Sequence, residues 1–175
     1  METNPLVLFA HGKESGSWGR KILALAAIAR DCGCRVESPD FRSFPDAAER
    51  CRFLLELCGD VADELILVGS SMGGHVCLSA ATTLTPMGLF LMAPAIGLAG
   101  YAPVPPPAAF SCQIIHAWQD TVVPPAPVLA YAQEHQVPLQ MLNSDHTLTS
   151  ALPQIEVLFR FFLKDILAKQ GSATC

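Results

Sequence analysis

Two adjacent serines, Ser70 and Ser71, stand in the stretch Gly69-Ser70-Ser71-Met72-Gly73-Gly74, which follows the apolar run Leu65–Val68 and precedes a helical pattern over 74–84. Strand, sharp turn and helix in that order suit three kinds of chemistry. Dinucleotide binding wants G-x-G-x-x-G; Gly69 and Gly74 supply its ends, but Ser71 holds the middle place, and residues 90–97 offer no carboxylate for a ribose. A phosphate cradle of the form G-x-x-x-x-G-K-[ST] is absent, since the lysine of His11-Gly12-Lys13 lacks the upstream glycine. G-x-S-x-G fits fully, as Gly69-Ser70-Ser71-Met72-Gly73. In such a turn the residues two before and two after the serine are pressed together, and glycine at both avoids the clash, which selects Ser71 over Ser70 as a nucleophile.

A serine hydroxyl is a weak nucleophile near neutral pH unless a base takes its proton and a carboxylate holds that base. Asp120 follows the apolar run 112–117 by a few residues, and His146 similarly follows 138–142. If both runs are strands parallel to the one before Ser71, all three side chains leave the sheet at one edge. Asp145, beside His146, is a rival acid, but neighbouring side chains in a loop usually diverge. Of the other histidines, His11 is expected to support the turn after the first strand. His75 is expected on a buried helix, His116 capping a strand and His135 on a solvated helix face. None has metal-ligand spacing. Cys77 falls inside a helix, and Asp40 and Asp46 are read as turn and helix-start residues. Trp18 and Trp118 are expected in the core, with pocket lining as the functional alternative, Trp118 lying two residues from Asp120.

The elements that must position these groups follow from periodicity. Six apolar runs read as strands, at 6–10, 35–39, 64–69, 88–93, 112–117 and 138–142. Most lack alternation, as expected of strands covered on both faces. Helical stripes lie between them: Ile22, Leu25, Ala26 and Ala29 over 19–30, then Ala47, Cys51, Leu54, Leu55 and Cys58 over 46–58. Further helices are expected over 74–84, 126–136 and 154–169, the last setting Ile155, Leu158, Phe159, Phe162 and Ile166 against charged residues. This is an α/β pattern: a three-layer α/β/α sandwich on a mainly parallel sheet of about six strands, in one domain over 1–175.

The chain resembles the α/β-hydrolase superfamily over nearly its whole length, through Phe9-Ala10-His11-Gly12-Lys13, Gly69–Gly74, His116-Ala117-Trp118-Gln119-Asp120-Thr121-Val122-Val123-Pro124 and Ser144-Asp145-His146-Thr147-Leu148. It is most similar to compact YqiA-like and dienelactone-hydrolase-like serine esterases. Their acid loop reads H-G-x-x-D-x-x-V-P, with Ala117 here in place of the glycine. The resemblance implies the chain order Ser71, Asp120, His146 for a catalytic triad. It also implies an oxyanion hole from the backbone N–H of Met72 and of Lys13 or its neighbour Gly12, which sets Gly12 next to the substrate. The implied activity is cleavage of a carboxylic ester or thioester through an acyl-enzyme. A peptidase or acyltransferase on the same triad, or a binding module that keeps the fold, are the alternatives. No metal or organic cofactor is implied.

Composition is that of a globular protein. Of 175 residues 51% are hydrophobic and 15% charged, with a net charge of -5, which lacks the basic excess that nucleic acid or an anionic membrane surface would call for. Residues 65–119 contain no charged side chain, but Pro94, Gly97, Gly100 and Pro103 interrupt the run before the ~20 apolar residues of a membrane span. Seven cysteines with no paired C-x-x-C spacing, mostly on apolar faces, read as reduced, buried hydrophobes, and the start lacks the features of a secretion signal, so a cytoplasmic location is expected. Between the fourth and fifth strands only 94–111 intervene, a proline-rich connector or cleft wall rather than a helical cap, which favours an open, shallow cleft.

Overall fold

A computed structural model describes residues 4–59, 64–109 and 111–172, so position 110 of the 94–111 connector and the last of the seven cysteines, Cys175, lie outside the described residues. Strands β1 (Leu6–Ala10), β2 (Arg35–Glu37), β3 (Leu65–Ser70), β4 (Gly88–Met92), β5 (Ser111–Ala117) and β6 (Leu139–Leu142) form one sheet in the order β2-β1-β3-β4-β5-β6. Every pairing is parallel. Five α-helices connect or follow them: α1 (Arg20–Asp31), α2 (Ala47–Cys58), α3 (Met72–Leu84), α4 (Pro125–Glu134) and α5 (Leu152–Ser172). The three-layer sandwich expected from the sequence is the observed architecture.

Alternation along each strand sorts the core into two layers. Val7 and Phe9 of β1, with Ile66, Val68 and Phe90, pack under α1 and α5 through Leu25, Ala29, Ile155, Phe159 and Leu163. Leu6, Leu8, Leu65, Leu67, Leu89 and Leu91 face the other way, onto α2, α3 and α4 through Leu54, Val76, Ala80, Val128 and Ala132. Burial on both faces explains why β1, β3 and β4 read as unbroken apolar runs. At the sheet edges β2 is only three residues long, with a half-buried and exposed pattern.

The order reverses between β1 and β3: the chain leaves β1 toward β2 in one direction and builds outward from β3 in the other. In open α/β sheets the carboxyl ends of the strands flanking such a reversal are where ligands are held. Gly12 and Lys13 leave β1 there, and Ser71 leaves β3. The connector 94–110 contains no helix among its described residues and does not stand free. Leu98, Tyr101, Val104, Ala108 and Ala109 pack on the α2–α4 side of the core, and the Tyr131 hydroxyl donates to the Pro105 carbonyl at 2.7 Å. Among the described residues no helix is long and apolar enough to cross a membrane.

Candidate active site

Ser71 sits between the last residue of β3 and the first of α3, with φ 55° and ψ -117°, a backbone region that L-residues avoid. The strain is held from several directions. The Ser71 N–H donates to the Met92 carbonyl at 2.9 Å, and its own carbonyl accepts from Ala95 and Gly74, each at 3.0 Å. The surrounding glycines are required by contact. A Cβ on Gly69 would lie 2.5 Å from the Gly73 carbonyl oxygen, one on Gly73 would run into the Ala10 carbonyl, and one on Gly74 would press on Pro94. The turn therefore raises one hydroxyl above the sheet, and that hydroxyl belongs to Ser71.

His146 Nε2 lies 3.1 Å from Ser71 Oγ, and its Nδ1 lies 2.7 Å from Asp120 Oδ2. The Asp120 side chain is fully buried. Its other oxygen, Oδ1, accepts from the Val122 and Val123 amides at 2.9 and 2.8 Å, so the carboxylate is fixed before it meets the imidazole. With Nδ1–H donating to a carboxylate, Nε2 presents its lone pair to the hydroxyl. The two loops carrying acid and histidine are laced together: Trp118 N–H donates to the Leu142 carbonyl, Gln119 N–H to that of Ser144, and the Gln119 amide to Asn143 Oδ1 at 2.7 Å. Leu148, fully buried and with φ 56°, plugs the histidine loop into the core.

Asp145 does not touch the imidazole. Its Oδ1 accepts from the Thr147 N–H and hydroxyl at 3.0 and 2.6 Å, closing a turn, and these bonds hold its carboxyl below the usual carboxylate range. Asp46 caps α2 through the Glu49 N–H, and Asp40 bonds Arg42 backbone and guanidinium, which depresses its carboxyl as well. Cys77 is wholly buried and its thiol is pushed far up by desolvation, so it has no nucleophilic character. Cys34 and Cys58 are buried too and pushed up to about 11, while Cys32, Cys51 and Cys112 are only partly covered.

Two expectations need correction. Trp118 and Trp18 are not core residues: they are 55% and 42% exposed, and Trp18 stacks under the Arg30 guanidinium. Both lie in loops at the strands' carboxyl ends, where the sheet no longer covers them. His116 does not cap a strand but lies inside β5, fully buried, its Nε2 donating to the Val123 carbonyl at 3.1 Å with Asp120 Oδ2 at 3.7 Å. Its Nδ1 is the one buried side-chain polar atom without a partner among the described residues. Burial lowers its pKa, keeping it neutral behind the acid. His135 is half-buried, edge-on to Tyr131 at the end of α4.

His11 supports the turn after β1, as expected. Its Nδ1–H donates to the Gly12 carbonyl at 2.7 Å and its Nε2 accepts from the Phe41 N–H at 2.9 Å. Gly12 lies against Ser71: a Cβ there would be 3.4 Å from Ser71 Cβ. Met72 opens α3, where a helix amide has no carbonyl one turn back to bond. Among the described residues no three His, Cys, Asp or Glu side chains are grouped so as to hold a metal ion.

Residues 7–166 match the model of the Alpha/beta hydrolase family. The chain belongs to that family. Similar solved structures include a protein of Xanthomonas campestris pv. campestris assigned to the alpha/beta superfamily of hydrolases, with TM-score 0.86 and 28% identity, covering 93% of this chain and 99% of that one. Est1E from Butyrivibrio proteoclasticus has TM-score 0.79 and 16% identity over 96% and 90% of the two chains. A serine hydrolase without lid from Xanthomonas campestris has TM-score 0.69 and 22% identity over 94% and 83%. No curated protein matches in sequence.

Two cations in this α/β hydrolase escaped the sequence reading. Lys21 of α1 donates to the Thr147 carbonyl at 2.7 Å and to Ser70 Oγ at 3.3 Å, so it ties the His146 loop to the Ser70–Ser71 turn. Burial lowers its pKa, against the pull of the Asp120 and Asp145 carboxylates. Arg50 of α2 is 2% exposed; it donates to the Phe44 carbonyl and to those of His11 and Gly12. A signal for Arg50 did exist, because it falls on the apolar stripe of Ala47 and Leu54, where an arginine has no solvent to face. Lys21 left none, since its partners are 49 and 126 residues away.

Proposed function

We propose that this chain is a serine hydrolase that cleaves carboxylic esters or thioesters through an acyl-enzyme, on one α/β-hydrolase domain over 1–175. The observation that carries it is the single imidazole of His146 bridging Ser71 Oγ and Asp120 Oδ2. Ser71 Oγ attacks the substrate carbonyl as His146 Nε2 takes its proton. The tetrahedral oxyanion is met by the Met72 N–H and an N–H of the Gly12–Lys13 turn, which in such sites is worth roughly 10²- to 10³-fold in rate per donor. His146 then gives its proton to the departing alcohol or thiol. Water, deprotonated by the same nitrogen, attacks the acyl-serine and releases the acid. Asp120 stays ionised throughout and stabilises the imidazolium.

The uncapped connector between β4 and β5 supports a cleft open to solvent, with Trp118 on its rim. Est1E, similar in fold, has been seen with ferulic acid bound, which makes aromatic acyl esters a class worth including in the assay beside short-chain ones. The test is turnover of p-nitrophenyl acetate and butyrate, with mass spectrometry after fluorophosphonate treatment. Wild type is expected to hydrolyse them and to carry the label on Ser71, and Ser71→Ala to do neither. Equal rates in both proteins would refute the assignment.

A further inference from the structure

The placement of Arg50 is costly in two ways. It stands in the first turn of α2, where the helix dipole opposes a positive charge, and it is buried, where an unpaired cation is expensive. Among the described residues no carboxylate lies within ion-pair distance of it; Asp40 acts on it only from farther off. Its guanidinium is spent on backbone carbonyls: Nε on Phe44 at 2.9 Å, and Nη1 shared between His11 at 3.1 Å and Gly12 at 3.3 Å. An apolar residue would fill the same stripe without those costs.

What Arg50 acquires by this is control of two successive peptide planes. In a trans peptide the C=O and N–H point in opposite directions, and no cis bond occurs here. With the His11 and Gly12 carbonyls both drawn onto one guanidinium, the N–H groups of Gly12 and Lys13 point away from it, and Gly12 itself lies against Ser71, whose Cβ an added carbon on Gly12 would meet at 3.4 Å. The Gly12 carbonyl is further held by His11 Nδ1 at 2.7 Å and Ser15 Oγ at 3.5 Å. A cation at the oxygen end of an amide also polarises it, which makes its N–H the stronger donor.

We propose that Arg50 is a positioning residue of the oxyanion hole, acting through the His11–Gly12 and Gly12–Lys13 peptides rather than by touching substrate. The inference rests on the serine-hydrolase assignment, because it needs an oxyanion to serve. A hydrogen-bond donor displaced by about 1 Å can cost on the order of 10²-fold in rate.

Arg50→Met and Arg50→Lys are to be compared with wild type, counting active sites by fluorophosphonate titration so that misfolded protein does not enter. Arg50→Met is expected to lower kcat roughly 10- to 100-fold. KM should change little, and affinity for a trifluoromethyl ketone, which mimics the tetrahedral adduct, should fall by the same factor as kcat. Arg50→Lys should fall between the two. The amide nitrogen resonances of Gly12 and Lys13 should shift in both variants. A purely structural role would lower Tm while leaving kcat and ketone affinity per titrated site unchanged, and that result overturns the proposal while the hydrolase assignment stands. Wild type left unlabelled by fluorophosphonate would overturn both.

Discussion

His146 Nε2 and Ser71 Oγ are separated by 75 residues of chain and by 3.1 Å of space. The approach is produced by the parallel sheet: β3 and β6 end at one edge, so the loops that leave them meet there. Nothing local to either residue brings them together, and the consequences can be tested one residue at a time.

Asp120→Asn should leave the fold intact and lower kcat by roughly 10⁴-fold, because an amide that donates to the imidazole favours the wrong tautomer. Asp145→Asn, at a carboxylate that only closes a turn, should cost less than about tenfold. Steady-state kinetics of the two variants side by side distinguishes the acids. Equal losses would deny Asp120 its role.

Lys21→Met removes the donor that ties the Thr147 carbonyl to the Ser70–Ser71 turn. A hydrogen bond from a charged group contributes about 1.5–3 kcal/mol. Here its loss should appear mainly as a fall of about tenfold in kcat, through a looser His146 loop. Ser70→Ala removes only the longer of the two Lys21 bonds and should keep nearly full activity, which also tests whether Ser71 is the nucleophile. Hydrolysis rates and amide exchange over 143–148 provide the measurement.

Gly73→Ala should lower stability by about 1–3 kcal/mol or more, since the new methyl group meets the backbone of Ala10, which cannot rotate away. Gly16→Ala is the control: nothing lies within 4 Å of its added carbon, and stability should hold or rise slightly. Urea denaturation midpoints decide it.

Acid should weaken the fold earlier than carboxylates alone would allow. His11, His75 and His116 are buried and their pKa values are lowered from 6.5, chiefly by desolvation. The unfolded chain therefore takes up protons as pH falls through about 6.5, while the folded chain does not, so protonation favours unfolding. The contribution is complete above about pH 6.5 and is lost progressively below it. Asp40 and Asp145, whose pKa values are lowered from 3.8, act only in the more acid window. A urea midpoint that does not change between about pH 7 and pH 5 would contradict this, and His75→Gln should flatten the slope.

Much was legible in the sequence because it is encoded locally. The apolar runs of β1, β3 and β4 follow from burial on both faces. The Gly69–Gly74 turn is written in glycine positions because steric contact within six residues demands them. Asp120 and His146 could be picked out because each follows a recognisable strand by a few residues. The tryptophans were misread because exposure depends on where the sheet stops, which no local pattern records.

Sequence by itself determined the strand and helix alternation, the strained turn that singles out Ser71, and the short list of partners, since each depends on side-chain size or on periodicity over a few residues. Only tertiary structure decided that Asp120 and not Asp145 meets the imidazole, that His116 stands behind that acid, and that Lys21 and Arg50 turn inward onto backbone carbonyls. Those contacts join loops from different strands, and their energies depend on distance and burial, which exist only once the sheet has brought the loops to one edge.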